Sequence, residues 1–375
     1  MEPITLIGAG GFVGSGLAEA LVLDGGTAVR AVVRAYRSLA GLGRLGSAID
    51  VRLADAEDTA ALVPALEGSG TVVNLTTGPP AGIVKSTRSI YEACVAARVR
   101  RLVHISSAVV YGDVESADIT DDSPPVSRHW MPYARARAAS EIWLRGQMSG
   151  APLPVTVLRP GIVWGVRSPH TLGVVQALLQ KNAYLVGDGG GVFNGIYIDN
   201  LIAFVRACAA HPSDVTGFFN VADQEHVTWR EFYAAFAPAC GYDMTRMPTV
   251  SSERFPWSGP AVFEYVQALP LVNESYHVLK ARLPDRVKAR VKAWLAGSRQ
   301  YDRVARDYVV QPLVARELWH LQRVRHRLPT AKFARAFGVA APVSFEEAVR
   351  RTTEWLTFLG YTARAADVKA GAAAR

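Results

Sequence analysis

A short apolar run, Ile4-Thr5-Leu6-Ile7, feeds the turn Gly8-Ala9-Gly10-Gly11-Phe12-Val13-Gly14, which opens a helical pattern with Leu17, Ala18, Leu21 and Val22 on one face. A strand, a glycine-spaced turn and a helix in that order leave few folds open. Gly8 permits the tight turn, Gly11 lets a ligand approach the backbone, and Gly14 lets the helix pack close to the strand. The free N–H groups of the turn, with Phe12 and Val13 in the helix's first residues, then face outward with the positive end of the helix dipole. That is a site for an anion, and for a nucleotide pyrophosphate in particular.

The alternation continues. Residues 28–33 and 51–53 read as strands, 59–66 as a helix, 71–75 as a strand, 83–97 as a helix, 101–106 as a strand, 133–148 as a long helix and 155–158 as a strand. Repeated βα units of this length predict an α/β fold, a doubly wound parallel sheet of Rossmann type with right-handed crossovers. From about residue 171 the regularity weakens, which predicts a smaller C-terminal substrate-binding lobe. The expected division is 1–165 for the nucleotide-binding domain and 166–362 for the lobe, interleaved with the core. Residues 363–375 are expected to form a frayed, alanine-rich tail. Within the lobe, about 250–330 reads as a basic helical insertion. Over 285–295, Val287, Val291, Trp294 and Leu295 share one helical face and Arg286, Lys288, Arg290 and Lys292 lie elsewhere. An apolar stripe packed on the domain is the simpler expectation; a peripheral helix touching anionic lipid is the alternative.

The chain has 375 residues, 50% of them hydrophobic, enough for a large core. Its net charge of +8 suits an anionic ligand, but no nucleic-acid motif accompanies it. Cys94, Cys208 and Cys240 lack metal or disulfide spacing and read as buried thiols in a reducing compartment. No metal site is expected. A strand at residue 4 leaves no room for a cleavable leader, and no apolar run spans a bilayer, so the expected location is the cytoplasm.

Ligands of such sheets lie at the carboxyl ends of the strands, so the residues there carry the expectation about chemistry. Arg34, with Arg37 behind it, ends the second strand where a carboxylate would otherwise hold an adenosine ribose; arginine suits a 2′-phosphate. Asp55, beside Ala56, can accept from an adenine amino group or cap the next helix. Leu75, Thr76 and Thr77 are small enough to let a ribose cross the sheet. The fifth strand ends in Ser106 and Ser107. Tyr133 and Arg137, spaced i and i+4, share one helical face, and a cation beside a phenol stabilises the phenolate.

These residues in this order resemble the extended short-chain dehydrogenase/reductase family, in its NAD(P)-dependent epimerase/dehydratase branch. The glycine turn, Ser106-Ser107-Ala108-Val109-Val110-Tyr111-Gly112, Tyr133, Leu158-Arg159-Pro160-Gly161-Ile162-Val163-Trp164-Gly165, Tyr197-Ile198-Asp199-Asn200, Phe219-Asn220-Val221 and 346–355 carry the likeness, over about 4–240 and again at the C-terminus. The resemblance implies an enzyme in which NAD(P) lies across the strand ends. Tyr133 would exchange a proton with a substrate oxygen that Ser107 also binds, and Ser106 would support Ser107. Pro160, Gly161 and Val163 would line the nicotinamide. Arg34 favours NADP(H), with NAD(H) as the alternative. The implied substrate is a sugar nucleotide, and a homodimer through 83–97 and 133–148 is expected. Two departures stand out. Arg137 occupies the position of the family's lysine; it keeps the charge and can fork onto ribose hydroxyls but cannot release a proton. Segment 191–195 lacks the arginine that sugar-nucleotide enzymes place on the diphosphate. An apolar or lipid-linked alcohol or ketone, with Trp257, Phe263 and Tyr265 as contacts, is one alternative; a non-catalytic dinucleotide sensor is another.

Overall fold

The computed structural model describes residues 2–112, 119–150, 152–257, 307–309 and 312–362. The basic helix expected over 285–295, the tail expected over 363–375, and Phe263 and Tyr265 lie outside the described residues.

Strands β1 (Ile4–Ile7), β2 (Val29–Val33), β3 (Ile49–Leu53), β4 (Thr71–Asn74), β5 (Arg101–Ile105) and β6 (Val155–Pro160) alternate with helices α1 (Phe12–Asp24), α2 (Thr59–Leu66), α3 (Pro80–Ala96) and α4 (Pro132–Gln147). Then follow β7 (Ile162–Trp164), α5 (Pro169–Leu179), β8 (Leu185–Val186), β9 (Gly195–Tyr197), α6 (Ile198–Ala210), β10 (Gly217–Val221), α7 (Trp229–Phe236) and β11 (Thr249–Val250). The last helices among the described residues are α8 (Arg316–Leu321), α9 (Ala331–Phe337) and α10 (Phe345–Phe358).

The central sheet has seven strands in the order β10-β6-β5-β4-β1-β2-β3. Every neighbouring pair is parallel. Parallel strands covered on both faces need unbroken apolar runs rather than alternation, and β1, β4, β5 and β6 are buried at every position. The edge strand β3 is exposed along most of its length. One face of the sheet carries α1 and α6, which touch through Gly16 and Ile202; the other carries α2, α3 and α4. Strand order reverses at β1, with β2 and β3 on one side and β4, β5, β6 and β10 on the other, which opens the crevice of a doubly wound sheet above the glycine turn.

Local chemistry sets the helix starts. Proline occupies the first turn of α3, α4 and α5, where its missing N–H is harmless. Asp58 caps α2 and Ser168 caps α5; Thr228 and Glu231 form a capping box on α7. Helices α3 and α4 begin earlier than the apolar periodicity indicates for this reason, and α5 lies where that periodicity had weakened. The seventh strand comes from 217–221, beyond the 1–165 division, so the lobe returns to complete the sheet. Lobe and sheet meet around Trp164, which is fully buried among Phe193, Tyr197, Phe232, Phe236 and Phe345.

Candidate active site

Gly8 has φ of +87°, and a Cβ on Gly14 would stand 2.4 Å from the Gly8 carbonyl oxygen. The contact is backbone to backbone and cannot be relieved by a rotamer. Gly10 is equally constrained, because its Cβ would stand 2.2 Å from the Ser38 carbonyl oxygen; the spacing argument did not single it out. Gly11 is the N-cap of α1 and brings no capping side chain. The first-turn N–H groups thus have no intrahelical acceptor and face a cavity of about 510 Å³ lined by Gly11, Phe12, Val13 and Gly14. This cradle fits a dinucleotide: a strand-end glycine turn, an uncapped helix N-terminus and an open cleft above them.

The cavity continues along the carboxyl ends of the strands to Ser107, Tyr133 and Arg137. Ser107 caps the short turn Ala108–Tyr111, its Oγ accepting from the Val109 N–H at 3.3 Å. Tyr133 stands half-buried in the first turn of α4, and Arg137, one turn on, is 2% exposed. The Arg137 Nε donates to the Tyr133 hydroxyl at 3.1 Å, Nη1 to the Ile105 carbonyl at 3.1 Å and Nη2 to the Thr76 carbonyl at 2.9 Å. Its guanidinium is therefore a brace between the ends of β4 and β5 as well as a cation beside the phenol. Both Nη atoms retain one further N–H.

Behind this brace, Asn74 Oδ1 accepts from the Thr76 N–H at 3.0 Å and from its hydroxyl at 2.7 Å. The backbone donor fixes the amide orientation, so Asn74 Nδ2 faces His104 Nδ1 at 3.0 Å and donates to it. Nε2 then carries the His104 proton. Burial, reinforced by the Arg137 charge, pushes His104 down to about 3, so the imidazole is neutral.

A second set of bonds holds the serine strand. Ser106 Oγ donates to Glu141, and Glu141 pairs with Arg159 at 2.7 Å; both side chains of the pair are fully buried. Arg159 also donates to the Tyr111 hydroxyl at 2.6 Å and to the Asp121 carbonyl at 2.8 Å. Burial opposes the Arg159 charge, and the neighbouring Glu141 carboxylate outweighs it, so the guanidinium stays charged. The far wall of the cavity is made by Trp130, Val192, Asn194, Leu321, Val324, His326 and Leu328, with His129, His170 and His320. No group of three or more metal-ligating side chains occurs among the described residues.

A family model described as NAD dependent epimerase/dehydratase family matches residues 4–222. The chain belongs to this family. Among relatives, the 2-alkyl-3-oxoalkanoate reductase of Shewanella oneidensis is 25% identical over 245 residues, 59% of this chain and 62% of that protein. The UDP-glucose 4-epimerase of Mycolicibacterium smegmatis is 33% identical over 169 residues, 42% of this chain and 52% of that protein. The matches thus span between about half and three-fifths of these relatives. The dTDP-glucose 4,6-dehydratase from Bacillus anthracis in complex with NAD superposes with a TM-score of 0.67 at 14% identity, over 96% of this chain and 97% of that one. For the UDP-glucuronic acid 4-epimerase from Bacillus cereus, in complex with UDP-glucuronic acid and NAD, the TM-score is 0.65 at 16% identity, over 95% and 99%. At such identities the likeness is one of fold.

Within this epimerase/dehydratase fold, most of the expected residues converge. Gly11, Phe12, Val13, Gly14, Leu75, Thr77, Ser106, Ser107, Tyr133, Arg137, Pro160, Gly161 and Val163 all line the one cavity. Gly8 lies beneath it as the hinge of the turn. Thr76 is turned toward Asn74 and gives its carbonyl to Arg137. Asp55 is exposed and accepts from the Glu57 N–H at 3.0 Å; the helix cap is Asp58, three residues on, and Ala56 packs into the layer beneath. Arg34 and Arg37 are exposed at the end of β2 without an ion pair among the described residues. The far wall and the Glu141–Arg159 pair went unread in the sequence, which offers no local pattern for contacts between distant segments.

Proposed function

We propose that the protein is an NAD(P)-dependent oxidoreductase that interconverts a secondary alcohol and a ketone, with Tyr133 exchanging the proton. The observation that carries this is the Tyr133 hydroxyl on the cavity wall, 3.1 Å from the Arg137 Nε and on the same cavity as the glycine cradle. A nicotinamide dinucleotide with its pyrophosphate in the cradle would supply or accept the hydride. In the reducing direction the ketone gains a hydride at carbon and a proton at oxygen from Tyr133, giving the alcohol and the oxidised dinucleotide. Arg137 stabilises the phenolate left behind, and Ser107 Oγ donates to the same substrate oxygen. Glu141 acts at one remove by fixing Ser106, and through it the strand end that presents Ser107.

The relatives named above include sugar-nucleotide enzymes and one reductase of an alkyl-oxoalkanoate, and both epimerase/dehydratase and reductase chemistry fit Tyr133. A sugar nucleotide is the class the sequence resemblance implies. Arg34, exposed and unpaired among the described residues, supports NADP(H), while NAD accompanies the solved structures cited. The exposed Ile142 and Val95 on the α3–α4 layer support a homodimer there. The test is to denature the purified protein, identify the released dinucleotide by mass spectrometry, and titrate NADPH and NADH into both wild type and Tyr133→Phe. Tyr133→Phe should keep dinucleotide binding and lose turnover by about 10²-fold or more. Full turnover in that variant would remove Tyr133 from the mechanism. Stoichiometric NAD would overturn the role given to Arg34.

A further inference from the structure

The far wall of the cavity contains Arg323-Val324-Arg325-His326-Arg327-Leu328, which as a sequence resembles an anion site. Its side chains alternate in the opposite sense. Val324, His326 and Leu328 line the cavity. The arginines lie elsewhere: the Arg323 guanidinium is 4.2 Å from the Trp319 ring centroid, Arg325 pairs with Asp188 at 3.5 Å, and Arg327 donates to the Gln224 carbonyl. Three hydrogen bonds to one neighbouring segment fix this register. The Val192 N–H donates to the Val324 carbonyl at 2.7 Å, Asn194 Nδ2 to the His326 carbonyl at 3.0 Å, and the Leu328 N–H to Asn194 Oδ1 at 2.9 Å. A shift of one residue would exchange the two sets of side chains.

The remaining charge on the described lining is small. Arg137 is its only lysine or arginine, and that guanidinium is braced by Tyr133, Ile105 and Thr76. Glu317 is its only carboxylate and would repel an anion. A diphosphate placed against this wall would lose its hydration without gaining a cation, which is strongly unfavourable. Trp130 Nε1 and His326 Nδ1, on residues of this wall, have almost no exposed surface and so offer no donor to an anion in the cavity. Burial lowers the His326 imidazole below its ordinary value, which keeps it neutral. Such a wall recognises an apolar, uncharged surface.

We propose that the substrate is a ketone or secondary alcohol on an apolar, uncharged body that packs against Leu321, Val324 and Leu328, and that this wall excludes nucleoside diphosphates. The proposal rests on the Tyr133-centred chemistry above and narrows its substrate. Two panels separate the possibilities, given to the full chain with NADPH or NADH. One holds uncharged cyclic and long-chain ketones; the other holds UDP, UDP-glucose and dTDP-glucose. Each compound is scored by its shift in melting temperature and by turnover. Ketones should raise the melting temperature and be reduced, and the nucleotides should do neither. Val324→Arg should gain UDP binding by about tenfold or more and raise the ketone KM. Arg325→Ala should leave the ketone KM unchanged. Saturable UDP-sugar binding by wild type, or a panel in which no ketone binds or reacts, overturns the proposal. Turnover surviving in Tyr133→Phe would instead overturn the chemistry beneath it, so the two failures are distinct.

Discussion

Arg137 is placed to serve structure and, under the proposed function, chemistry at once. Its two Nη atoms hold the buried carbonyl ends of β4 and β5, while Nε reaches the Tyr133 hydroxyl. A lysine has one ammonium and cannot satisfy all three positions. Arg137→Lys should therefore lower stability by about 1–3 kcal/mol, since buried acceptors lose charged donors, yet retain or raise turnover because a cation still stands by the phenol. Urea unfolding and kcat for the same variant check both halves. A variant that keeps its stability would show that the brace carries no weight. Gly14→Ala is the corresponding test of the cradle. The added methyl would overlap the Gly8 carbonyl at 2.4 Å, so both folding stability and dinucleotide affinity should fall. Isothermal titration with the dinucleotide reads the second; unchanged affinity would remove the steric argument. The placement of Gly14, Tyr133 and Arg137 on one cavity was legible in the sequence because it depends on local geometry: a turn, and one helical repeat. Glu141 and Arg159 were not. A charged residue on a helix usually faces water, and nothing in a sequence tells that two such groups are buried against each other.

At the scale of elements, strand ends and helix starts differ in how plainly they can be read. The helix Thr59–Leu66 matches its expected bounds because Asp58 caps it where the apolar pattern begins. Helices α3 and α5 begin at prolines that resemble loop residues until their place in the first turn is known. The β4–β5 junction makes a prediction of its own. His104 is fully buried with its folded value at about 3, well below the ordinary 6.5. Below pH 6.5 the unfolded chain binds a proton there that the folded chain refuses. Its contribution to stability is intact above 6.5 and is lost as the pH falls toward 3, by up to about 1.4 kcal/mol per pH unit. Asp121 and Asp223, whose carboxyls burial holds above the usual range, act in the opposite sense as the medium acidifies. The comparison that isolates His104 is the slope of unfolding free energy between pH 6.5 and 4.5 in wild type and His104→Gln. The variant should be the flatter of the two, and equal slopes would rule out a buried neutral histidine.

Over the whole molecule, the boundary suggested by sequence regularity is not a physical one. The family match ends at residue 222, but the core on the α1–α6 face of the sheet does not close there. Phe219 on β10 is covered by Phe333 and Phe337 of α9, and Phe204 on α6 also meets Phe333. Trp164 is sealed by Phe232 and Phe236 of α7 and by Phe345 of α10. The outer wall of the cavity comes from 317–328. These contacts join segments far apart in the chain and leave no period behind them, which is why residues beyond 171 read as irregular. A fragment of residues 1–222 would leave Phe204 and Phe219 without Phe333 and Phe337, and Trp164 with only Phe193 and Tyr197 of its ring partners. It should bind a hydrophobic dye and unfold without a cooperative transition, whereas the full chain should lose aromatic circular dichroism and dinucleotide binding in one step. The full-length variant Phe333→Ala, which removes one ring from that cover, should lower stability by about 3–5 kcal/mol and move both probes together. If the fragment melts cooperatively and holds dinucleotide as tightly as the full chain, the sheet is self-sufficient and the lobe only shapes the substrate end. If it does not, the dinucleotide cradle depends on aromatic contacts more than a hundred residues further along the chain.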